Sequence, residues 1–505
     1  MRTSRRTFLH TALASGAYAS LPRRSWPISS DDLQTKLAND PLRPQFHLLP
    51  AKNWMNDPNG PIFWNNAYHM FYQYNPNAAV WGDMHWAHAI SDDMIHWRHL
   101  PIALAPTPGW HDADGCFTGS AVNDHGTATI LYTGVKSTSA ERATLRDGHN
   151  NFREVQCLVT SADPQLRSWT KWKQPVIQPP NDPTLAGFRD PFLWRQNDYW
   201  ILGVASGHFK KGGCVLLYRS KDLRNWEPLH ELASQPWTEK ESINPVDSGE
   251  MWECPDFFPL GKKHVLLYST AGKVIWESGE LDPKELKFHS QRSGILDHGA
   301  YYAQKTQLDA HGNRILWGWI PEKRPDSELI AAGWAGCMAL PRVLSLSSDG
   351  ELEMTVAHEV FSLRDKAYSL SPRNSAKHSE IFQLTSIEDL RAELAWKSFP
   401  DNFAFTLEDH SGPWWSLSLG QSNSTTALTV NGTAIKIFDQ PSAHDFRLFL
   451  DASVAELIVD RRHAITTRIY RKPDGLLHIR IGNDSRIASF EGWQFRPISA
   501  NRLTT

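Results

Sequence analysis

The sequence predicts an all-β chain in which a five-bladed β-propeller is followed by a C-terminal β-sandwich. Between residues 40 and 345, short apolar runs recur with starts 50 to 71 residues apart. Helical periodicity is almost absent from this region, which disfavours an α/β barrel, the main alternative at this chain length. Five runs at this spacing indicate five copies of a four-stranded unit, and therefore five blades.

The repeated unit contains two recognisable segments. The first is the apolar run itself, found at residues 68–72, 128–132, 199–203, 264–268 and 314–318. The second is a Ser-x-Asp segment that leads to a Trp, found at residues 91–97, 161–169 and 220–226. Their alternation along the chain is the evidence that one supersecondary unit is repeated.

Three acidic residues precede three of the apolar runs, each in a segment rich in turn-forming residues. Asp57 lies in Trp-Met-Asn-Asp-Pro-Asn-Gly (residues 54–60), Asp190 in Arg-Asp-Pro, and Glu253 in Glu-Cys-Pro. They precede the next run by 11, 9 and 11 residues, so we expect them at the same position in their blades. Because innermost strands converge on the axis of a propeller, the three carboxylates should meet in one funnel. Residues 114–120 and 297–302, at a similar offset in the other blades, should line it.

After residue 342 the pattern changes. Residues 350–395 are charged and mixed, which is typical of a linker and domain entry. Alternating apolar and polar runs then follow, joined by Asn-Gly and Pro-Asp-Gly turns, at residues 414–419, 426–430, 446–450, 455–459 and 477–481. The sequence therefore predicts a β-sandwich over residues 365–500, packed against a propeller over residues 40–345.

Composition excludes several classes of partner. The net charge of -3 provides no basic surface for nucleic acid. No apolar run reaches 18 residues, so no membrane span is expected. The five Cys residues lack C-x-x-C spacing, which disfavours a zinc site and a disulfide framework. His85 and His88 have no acid or Cys spaced with them, which favours structural histidines over metal ligands.

The N-terminus has the form of a twin-arginine export signal. Ser-Arg-Arg-Thr-Phe-Leu at residues 4–9 precedes a weakly apolar stretch and a small-x-small site at residues 17–19. We therefore exclude residues 1–25 from the fold and expect a periplasmic or extracellular location, the alternative being a disordered basic start.

Three convergent carboxylates, surrounded by amides, an Arg and aromatic residues, suit the cleavage of a glycosidic bond. One acid protonates the leaving oxygen while another attacks or activates water. Two alternatives stay open at this stage. One is a non-catalytic carbohydrate-binding propeller, and the other is an inverting arabinan or xylan hydrolase of related five-bladed architecture.

The three signatures together resemble glycoside hydrolase family 32, the invertases, levanases and inulinases. Further motifs of this family are similar to Trp81-Gly82 and to residues 117–120, 314–319, 333–336 and 340–342. The likeness covers residues 45–500, and residues 249–258 and 301–303 look most like cell-wall invertases and fructan exohydrolases. The resemblance implies a propeller, a sandwich and no metal or organic cofactor.

The resemblance also implies a reaction: retaining, exo-acting release of terminal non-reducing β-D-fructofuranosyl residues from sucrose or from fructans such as levan and inulin. Asp57 is then the nucleophile that forms a covalent fructosyl-enzyme, Glu253 the acid/base and Asp190 the transition-state stabiliser. The expected substrate-binding set is Trp54, Asn56, Gln73, Trp81, Phe117, Thr118, Arg189 and Trp334. An Asp/Lys pair that helps sucrose-cleaving members hold glucose has no clear match at residues 292–296, so the choice between sucrose and fructan stays open.

Overall fold

The computed structural model describes residues 30–146, 151–237, 245–369, 382–383, 390–399, 403–422, 425–437, 443–482 and 487–503. The predicted export signal at residues 1–25 lies outside these ranges. Strands form five sheets between Asn53 and Val356 and two six-stranded sheets between Arg364 and Phe495. The predicted all-β propeller-plus-sandwich class is confirmed.

The five N-terminal sheets share one plan, in which strands mostly follow one another in antiparallel order from the inner to the outer edge. Blade 1 contains β1 (Asn53–Trp64), β2 (Ala67–Asn75), β3 (His85–Ser91) and β4 (Trp97–Leu104). Blade 2 contains β5 (Gly115–Asp124), β6 (Thr127–Ser137), β7 (Leu145–Arg146), β8 (Asn151–Ser161) and β9 (Thr170–Lys171). Blade 3 contains β10 (Leu185–Gln196), β11 (Tyr199–His208), β12 (Gly212–Ser220) and β13 (Glu227–Ser234). Blade 4 contains β14 (Glu253–Leu260), β15 (Lys263–Thr270), β16 (Lys273–Asp282) and β17 (Lys287–Ile295). Blade 5 contains β18 (Tyr302–Leu308), β19 (Arg314–Ile320), β21 (Cys337–Met338), β22 (Arg342–Leu346) and β23 (Leu352–Val356).

The first strands of the blades form a closed ring. β1 contacts β5, β5 contacts β10, β10 contacts β14, β14 contacts β18, and β18 contacts β1. A short strand, β20 (Trp334–Ala335), pairs in parallel with the start of β1, where Asn53 lies opposite Trp334. The five predicted apolar runs all lie in the second strands, β2, β6, β11, β15 and β19, so the predicted repeat is correct.

The Ser-x-Asp segment forms the same turn in three blades. In blade 3, the Asp222 carboxylate accepts hydrogen bonds from the backbone N–H groups of Arg224 (2.9 Å) and Asn225 (2.8 Å). The Trp226 indole then donates to the Leu223 carbonyl (3.0 Å). Equivalent indole-to-carbonyl bonds of 2.9 Å occur in the other two copies, Trp97 to Met94 and Trp169 to Leu166. The repeated Ser-x-Asp segment therefore forms a turn whose N–H groups bind the Asp carboxylate and whose carbonyl accepts a hydrogen bond from the Trp indole.

The sandwich consists of two facing sheets. One contains β24 (Arg364–Ser369), β26 (Arg391–Ser398), β31 (His444–Asp451), β32 (Val454–Val459), β33 (His463–Arg468) and β35 (Ile487–Phe495). The other contains β25 (Phe382–Gln383), β27 (Ala404–Asp409), β28 (Gly412–Ser422), β29 (Thr425–Val430), β30 (Thr433–Ile437) and β34 (His478–Ile481). Trp396 stacks between Phe405 and Phe446, with ring centroids 4.6 and 5.0 Å away, at the centre of the sandwich core.

The predicted linker after residue 350 is partly structured. β23 completes blade 5 at Val356, beyond the predicted boundary at 345, and a 3-10 helix (His358–Leu363) leads directly into β24. β23 alternates, with Leu352, Met354 and Val356 buried and the two residues between them less so, but it is short and lies in the charged, mixed stretch that was predicted as a linker.

Helices are few in the described chain: α1 (Ser30–Asn39), α2 (Pro245–Ser248) and α3 (Asp326–Ala332). None of them is long and apolar enough to cross a membrane. α1 packs against α3, since Leu33 contacts Gly333 at the end of α3 and the Lys36 ammonium donates to the Ala331 carbonyl.

Buried charges join the propeller to the sandwich. The backbone N–H groups of Gln45, Phe46 and His47 all donate to the carboxylate of Asp451 on β31, at 2.6, 2.8 and 3.1 Å. The His47 ring lies between Asp451 (2.7 Å) and Glu456 on β32 (2.9 Å). Arg342 of blade 5 extends this cluster by pairing with the other oxygen of Glu456 at 2.5 Å and with Asp297 at 3.0 Å.

His47 should make the stability of the protein pH-dependent. Burial alone lowers the pKa of His47, but its hydrogen bonds to Asp451 and Glu456 raise it from 6.5 to about 9. The stabilisation is therefore fully present below about pH 6.5 and is lost as the pH rises through 9. We expect wild type to lose stability between pH 6 and 9.5, measured by thermal unfolding, and His47→Gln to lose distinctly less.

The matched control for this experiment is His125→Gln, since His125 is exposed and pairs with Asp124 at the surface. It should follow the wild-type pH dependence. Equal pH dependence in wild type and His47→Gln would contradict the assignment.

Candidate active site

Each inner strand of the ring carries a one-residue β-bulge at the equivalent register. The bulges lie between Asn59 and Ile62, Phe117 and Gly119, Arg189 and Phe192, Glu253 and Asp256, and Tyr302 and Lys305. Within them, Asp190, Cys254 and Ala303 have positive φ angles of 59°, 49° and 54°. Because a bulge interrupts the alternation of a strand, it redirects neighbouring side chains, here at the level where the acids occur.

The three acids do not occupy one equivalent position, and that part of the prediction is wrong. Glu253 is equivalent to Arg189, since each is the last residue before its bulge, whereas Asp190 lies inside the bulge. Asp57 lies in a separate bulge, between Met55 and Pro58. The sequence offsets differ from the true register because bulges insert residues that spacing alone does not reveal.

Asp57 is held by hydrogen bonds at both carboxylate oxygens. Oδ1 accepts from the Asn56 amide at 2.9 Å, and Oδ2 accepts from the Thr118 hydroxyl at 2.7 Å. The Trp54 indole donates to the Asn56 oxygen at 2.7 Å, which orients the amide so that its NH₂ faces Asp57. The Cys254 thiol lies 3.4 Å from Oδ2. This arrangement fixes the carboxylate in one orientation.

Glu253 contacts two donors. Arg189 Nη2 lies 2.9 Å from Oε1, and the Tyr302 hydroxyl lies 3.0 Å from Oε2. Arg189 is in turn held by the buried Glu154, whose Oε1 accepts from Nη1 at 2.9 Å. A hydroxyl can donate to a carboxylate or accept from a carboxylic acid, so Tyr302 suits both protonation states of Glu253.

Asp190 shares Cys254 with Asp57. Its Oδ2 accepts from the Cys254 backbone N–H at 2.8 Å and lies 3.6 Å from the thiol. Burial raises the pKa of Asp190 to about 6, with Glu253 and Asp57 adding to the increase and Arg189 opposing it. The contacts through Cys254 and Arg189 bring the three acids into one site, so the predicted convergence is correct.

The other predicted residues lie around the acids. Trp81 and Phe117 are half-buried, with ring centroids 6.1 Å apart, and they provide aromatic surface beside the site. Gln73 is buried and donates to the Cys116 carbonyl at 3.0 Å, next to Phe117. These contacts place all the predicted substrate-binding residues except Trp334 with the acids or directly beside them.

Trp334 lies behind this site. Its side chain is fully buried, its indole donates to Asp40 at 2.7 Å, and the Arg324 guanidinium lies 4.7 Å from its ring centroid. Trp334 was predicted to bind substrate, and the structure corrects this: its side chain is packed behind the site, against Asp40 and Arg324. Its backbone pairs with β1 immediately before Trp54, so it supports the part of β1 that carries Asp57.

Comparison with known proteins identifies this arrangement. The family model of the glycosyl hydrolases family 32 N-terminal domain matches residues 47–355, which include all three acids. The chain belongs to glycoside hydrolase family 32.

Family 32 relatives of this chain come from bacteria and plants. It is 36% identical over 458 residues to a sucrose-6-phosphate hydrolase of Escherichia coli, covering 85% of this chain and 90% of the relative. It is 36% identical over 389 residues to an acid β-fructofuranosidase of Vicia faba, covering 70% of this chain and 56% of the relative. The crystal structure of fructan 1-exohydrolase IIa from Cichorium intybus superimposes with a TM-score of 0.74 at 25% identity, covering 91% of this chain and 98% of the other.

Four residues of this family 32 site were missed or left without a role by sequence reasoning. Glu154 holds Arg189, Cys254 links Asp57 and Asp190, and Tyr302 contacts Glu253. Asn59, with its amide oriented toward its neighbours, donates to the Thr118 hydroxyl at 3.3 Å. Asn59, Cys254 and Tyr302 stand within or beside the recognised motifs, whereas Glu154 lies in an ordinary strand whose sequence carries no signal.

Among the described residues, the histidines considered as metal ligands and one further cluster have other partners. His88 accepts or donates a ring hydrogen bond with His69 at 2.9 Å, and burial lowers the pKa of both, which agrees with the structural role expected for His88. His208, Cys214 and Glu231 each offer one ligand atom within 4.8 Å of the others. His208 lies 3.5 Å from Glu231, so these groups already contact one another.

Asp190→Asn should stabilise the folded protein. In the unfolded chain an Asp loses its proton near pH 3.8, whereas folded Asp190 keeps it to about pH 6. Ionised Asp190 therefore opposes folding above pH 6, by up to about 3 kcal/mol. We expect a higher unfolding free energy for Asp190→Asn than for wild type at pH 7.5 and no gain at pH 3.5, measured by denaturant unfolding.

The exposed Asp92 offers a matched control, because Asp92→Asn should leave the free energy of unfolding unchanged at both pH values. A destabilised Asp190→Asn variant at pH 7.5 would show that ionised Asp190 contributes favourably to the fold.

Proposed function

We propose that this chain is a retaining, exo-acting β-fructofuranosidase that releases terminal β-D-fructofuranosyl residues from sucrose or fructans. The observation that carries the proposal is the pairing of two differently held carboxylates in one site. Asp57 accepts hydrogen bonds at both oxygens, which suits an ionised nucleophile. Glu253 has a partner that can donate or accept, which suits an acid/base. The names of its relatives, which include hydrolases of sucrose 6-phosphate and of fructan, support the same class.

In the first step, Asp57 attacks the anomeric carbon of the terminal fructosyl unit while Glu253 donates its proton to the departing glycosidic oxygen. The bond to the leaving group breaks and an ester to Asp57 forms. In the second step, Glu253 removes a proton from water, whose oxygen attacks the same carbon and returns Asp57 to its ionised form. Asp190 and Arg189 bind fructose hydroxyls, and the Asp190 carboxylate stabilises the positive charge that develops on the ring.

The burial of the acids supports the proposal of exo-action. Asp57, Asp190 and Glu253 are 2%, 3% and 3% exposed, within a ring that is closed on all sides by the inner strands. Such a site admits the end of a sugar chain more readily than an internal segment.

The test of the mechanism is the configuration of the first product. Proton NMR during the first minutes of sucrose hydrolysis should show β-fructofuranose before mutarotation, because two displacements restore the starting configuration. Initial release of the α anomer would mean a single displacement and would favour an inverting enzyme, as in the related arabinan and xylan hydrolases.

The leaving group is tested separately. Arg292, in the segment where a glucose-binding pair was sought, lies on the outer strand β17 and pairs with Asp349 at 3.5 Å and Glu351 at 3.8 Å. This position gives no reason to prefer glucose as the leaving group. Initial rates on sucrose, sucrose 6-phosphate, inulin and levan, with identification of the products, distinguish the substrates. Binding of each without any turnover would favour the alternative of a non-catalytic propeller.

We further propose that the chain is exported, on the strength of the paired Arg5 and Arg6 before the apolar stretch. Conversion of both residues to Lys should abolish export of the full chain in a host with a twin-arginine pathway. Unchanged export would overturn this part of the proposal.

A further inference from the structure

Glu154 is a buried carboxylate behind the candidate active site, and the mechanism above does not use it. It lies on β8 of blade 2 and is fully buried. Its Oε1 accepts from Nη1 of Arg189 at 2.9 Å, while its Oε2 accepts from the Phe188 N–H at 2.7 Å and from the Thr144 hydroxyl at 2.9 Å. Two of these three donors belong to the segment of β10 that carries Arg189 and Asp190.

Blade 2 holds both the backbone and the side chain of that segment. Gln156, two residues after Glu154 on β8, donates to the Phe188 carbonyl at 3.0 Å, while Glu154 accepts from the Phe188 N–H. Gly187 allows the guanidinium to approach closely, since a Cβ there would lie 3.0 Å from Nη1 of Arg189. The guanidinium is therefore confined to one position, with Nη1 facing blade 2 and Nη2 facing the acid/base.

This position of Arg189 creates an electrostatic conflict. A guanidinium 2.9 Å from Glu253 favours the ionised carboxylate, yet an acid/base must hold a proton in order to donate it. Burial lowers the pKa of Arg189, but Glu154, then Glu253 and then Asp190 raise it, and the result lies above the usual value. Glu154 is thus the principal counter-ion of Arg189, and its charge offsets the effect of the guanidinium on Glu253.

Other ionisable groups act on Glu253 from several strands. Around Glu253 and its neighbour Cys254 lie Asp57 on β1, Asp190 on β10, and Tyr302 and Lys305 on β18. The two Asp carboxylates favour the protonated form of Glu253, and burial raises the pKa of the Cys254 thiol, which leaves it uncharged. A change at Glu154 leaves all these groups in place, so its effect on Glu253 passes through Arg189.

We propose that Glu154 is a positioning residue of the reaction: it holds Arg189 against Glu253 and offsets the guanidinium charge, so that Glu253 keeps its proton at the working pH. The inference rests on the proposed function and goes beyond it, because it assigns the protonation of the acid/base to a fully buried residue of another blade.

The test is the pH profile of kcat/KM on the substrate that wild type hydrolyses fastest. Glu154→Gln keeps the size of the side chain and removes its charge. The basic limb, which reports the loss of the proton from Glu253, should move to lower pH by about one unit. Glu154→Asp keeps the charge but withdraws it by one carbon, and it should move the limb in the same direction by less.

Thr144→Val is the matched control. It removes one hydrogen bond to Glu154 and changes no charge, so it should keep the wild-type pH profile even if it lowers stability. Circular dichroism checks the fold of each variant. If Glu154→Gln fails to fold, the comparison of Glu154→Asp with Thr144→Val decides the question.

A second readout needs no activity. Carbon-13 NMR of protein labelled at the glutamate carboxyl groups follows the titration of Glu253, whose signal is identified by its absence in Glu253→Gln. The titration midpoint should fall in both Glu154 variants. A wild-type midpoint and profile in the folded Glu154 variants, or an equal shift in Thr144→Val, would overturn the proposal. Wild-type protein without hydrolytic activity would instead refute the proposed function, while the NMR midpoint would still decide the role of Glu154.

Discussion

Asp57→Ala should lower sucrose hydrolysis by at least about 10⁴-fold while the fold persists. The nucleophile forms the covalent intermediate, and Asp190 should not replace it, because the Cys254 N–H fixes that carboxylate at a different position in the site. The expected kinetic pattern is a loss in kcat and in kcat/KM together, since the lost bond exists only along the reaction path. Stopped assays and circular dichroism on the same preparation measure activity and fold.

Azide makes this prediction more specific. In Asp57→Ala a small anion can occupy the space left by the carboxylate and attack the fructosyl carbon directly. The product should be an α-fructosyl azide, of inverted configuration. Asp92→Ala, an exposed carboxylate in the same blade, is the control and should keep full activity. More than about a tenth of the activity remaining in a folded Asp57→Ala variant would refute the nucleophile assignment.

Glu253→Gln should lose about 10²- to 10⁴-fold on sucrose, because the glucosyl oxygen needs a proton to depart. On β-fructosyl fluoride the first step should be nearly as fast as in wild type, since fluoride leaves without a proton from Glu253. The amide retains contact with Arg189 and Tyr302, so this loss reports on proton transfer rather than on packing. The rates of wild type and Glu253→Gln are measured on both substrates, and the ratio of the two losses gives the result.

Glu227→Gln is the matched control, since Glu227 lies on the outer strand β13, is exposed and pairs with Arg219. It should change neither rate. Equal losses of Glu253→Gln on both substrates would show that Glu253 acts on binding or structure and that another group supplies the proton.

Local sequence predicted the parts of this site that are themselves local. Five blades were predicted from the repeated apolar runs. The meeting of the acids was predicted from the position of the turn-rich segments around Asp57 and Glu253 within that repeat. Glu154 could not be found this way, because it acts through Arg189 on another blade and its own strand looks ordinary. The same holds for Cys254, whose motif was recognised but whose contacts with Asp57 and Asp190 depend on positive φ in a bulge.

Trp334 shows that a recognised motif can also predict a contact that the structure does not have. Its motif implied a substrate contact, yet the backbone of β20 pairs with β1 in a direction that turns the indole toward Asp40 and Arg324. A motif identifies a segment that the site requires, but which face of that segment meets the substrate depends on strand pairing across some 280 residues. Spacing along the chain contains no information about that pairing.

The hydrogen bonds from the N–H groups of residues 45–47 to Asp451 affect how the protein folds during its synthesis. Gln45 leaves the ribosome 406 residues before the carboxylate that binds it. At about 5–20 residues per second, this leading segment waits roughly 20 to 80 s for its partner. Contacts so distant in sequence form late and slow the final step of folding. Until Asp451 is synthesised, residues 45–47 lack their hydrogen-bond acceptor and stay accessible to proteases and chaperones. The propeller can therefore complete its folding only after the sandwich has been made.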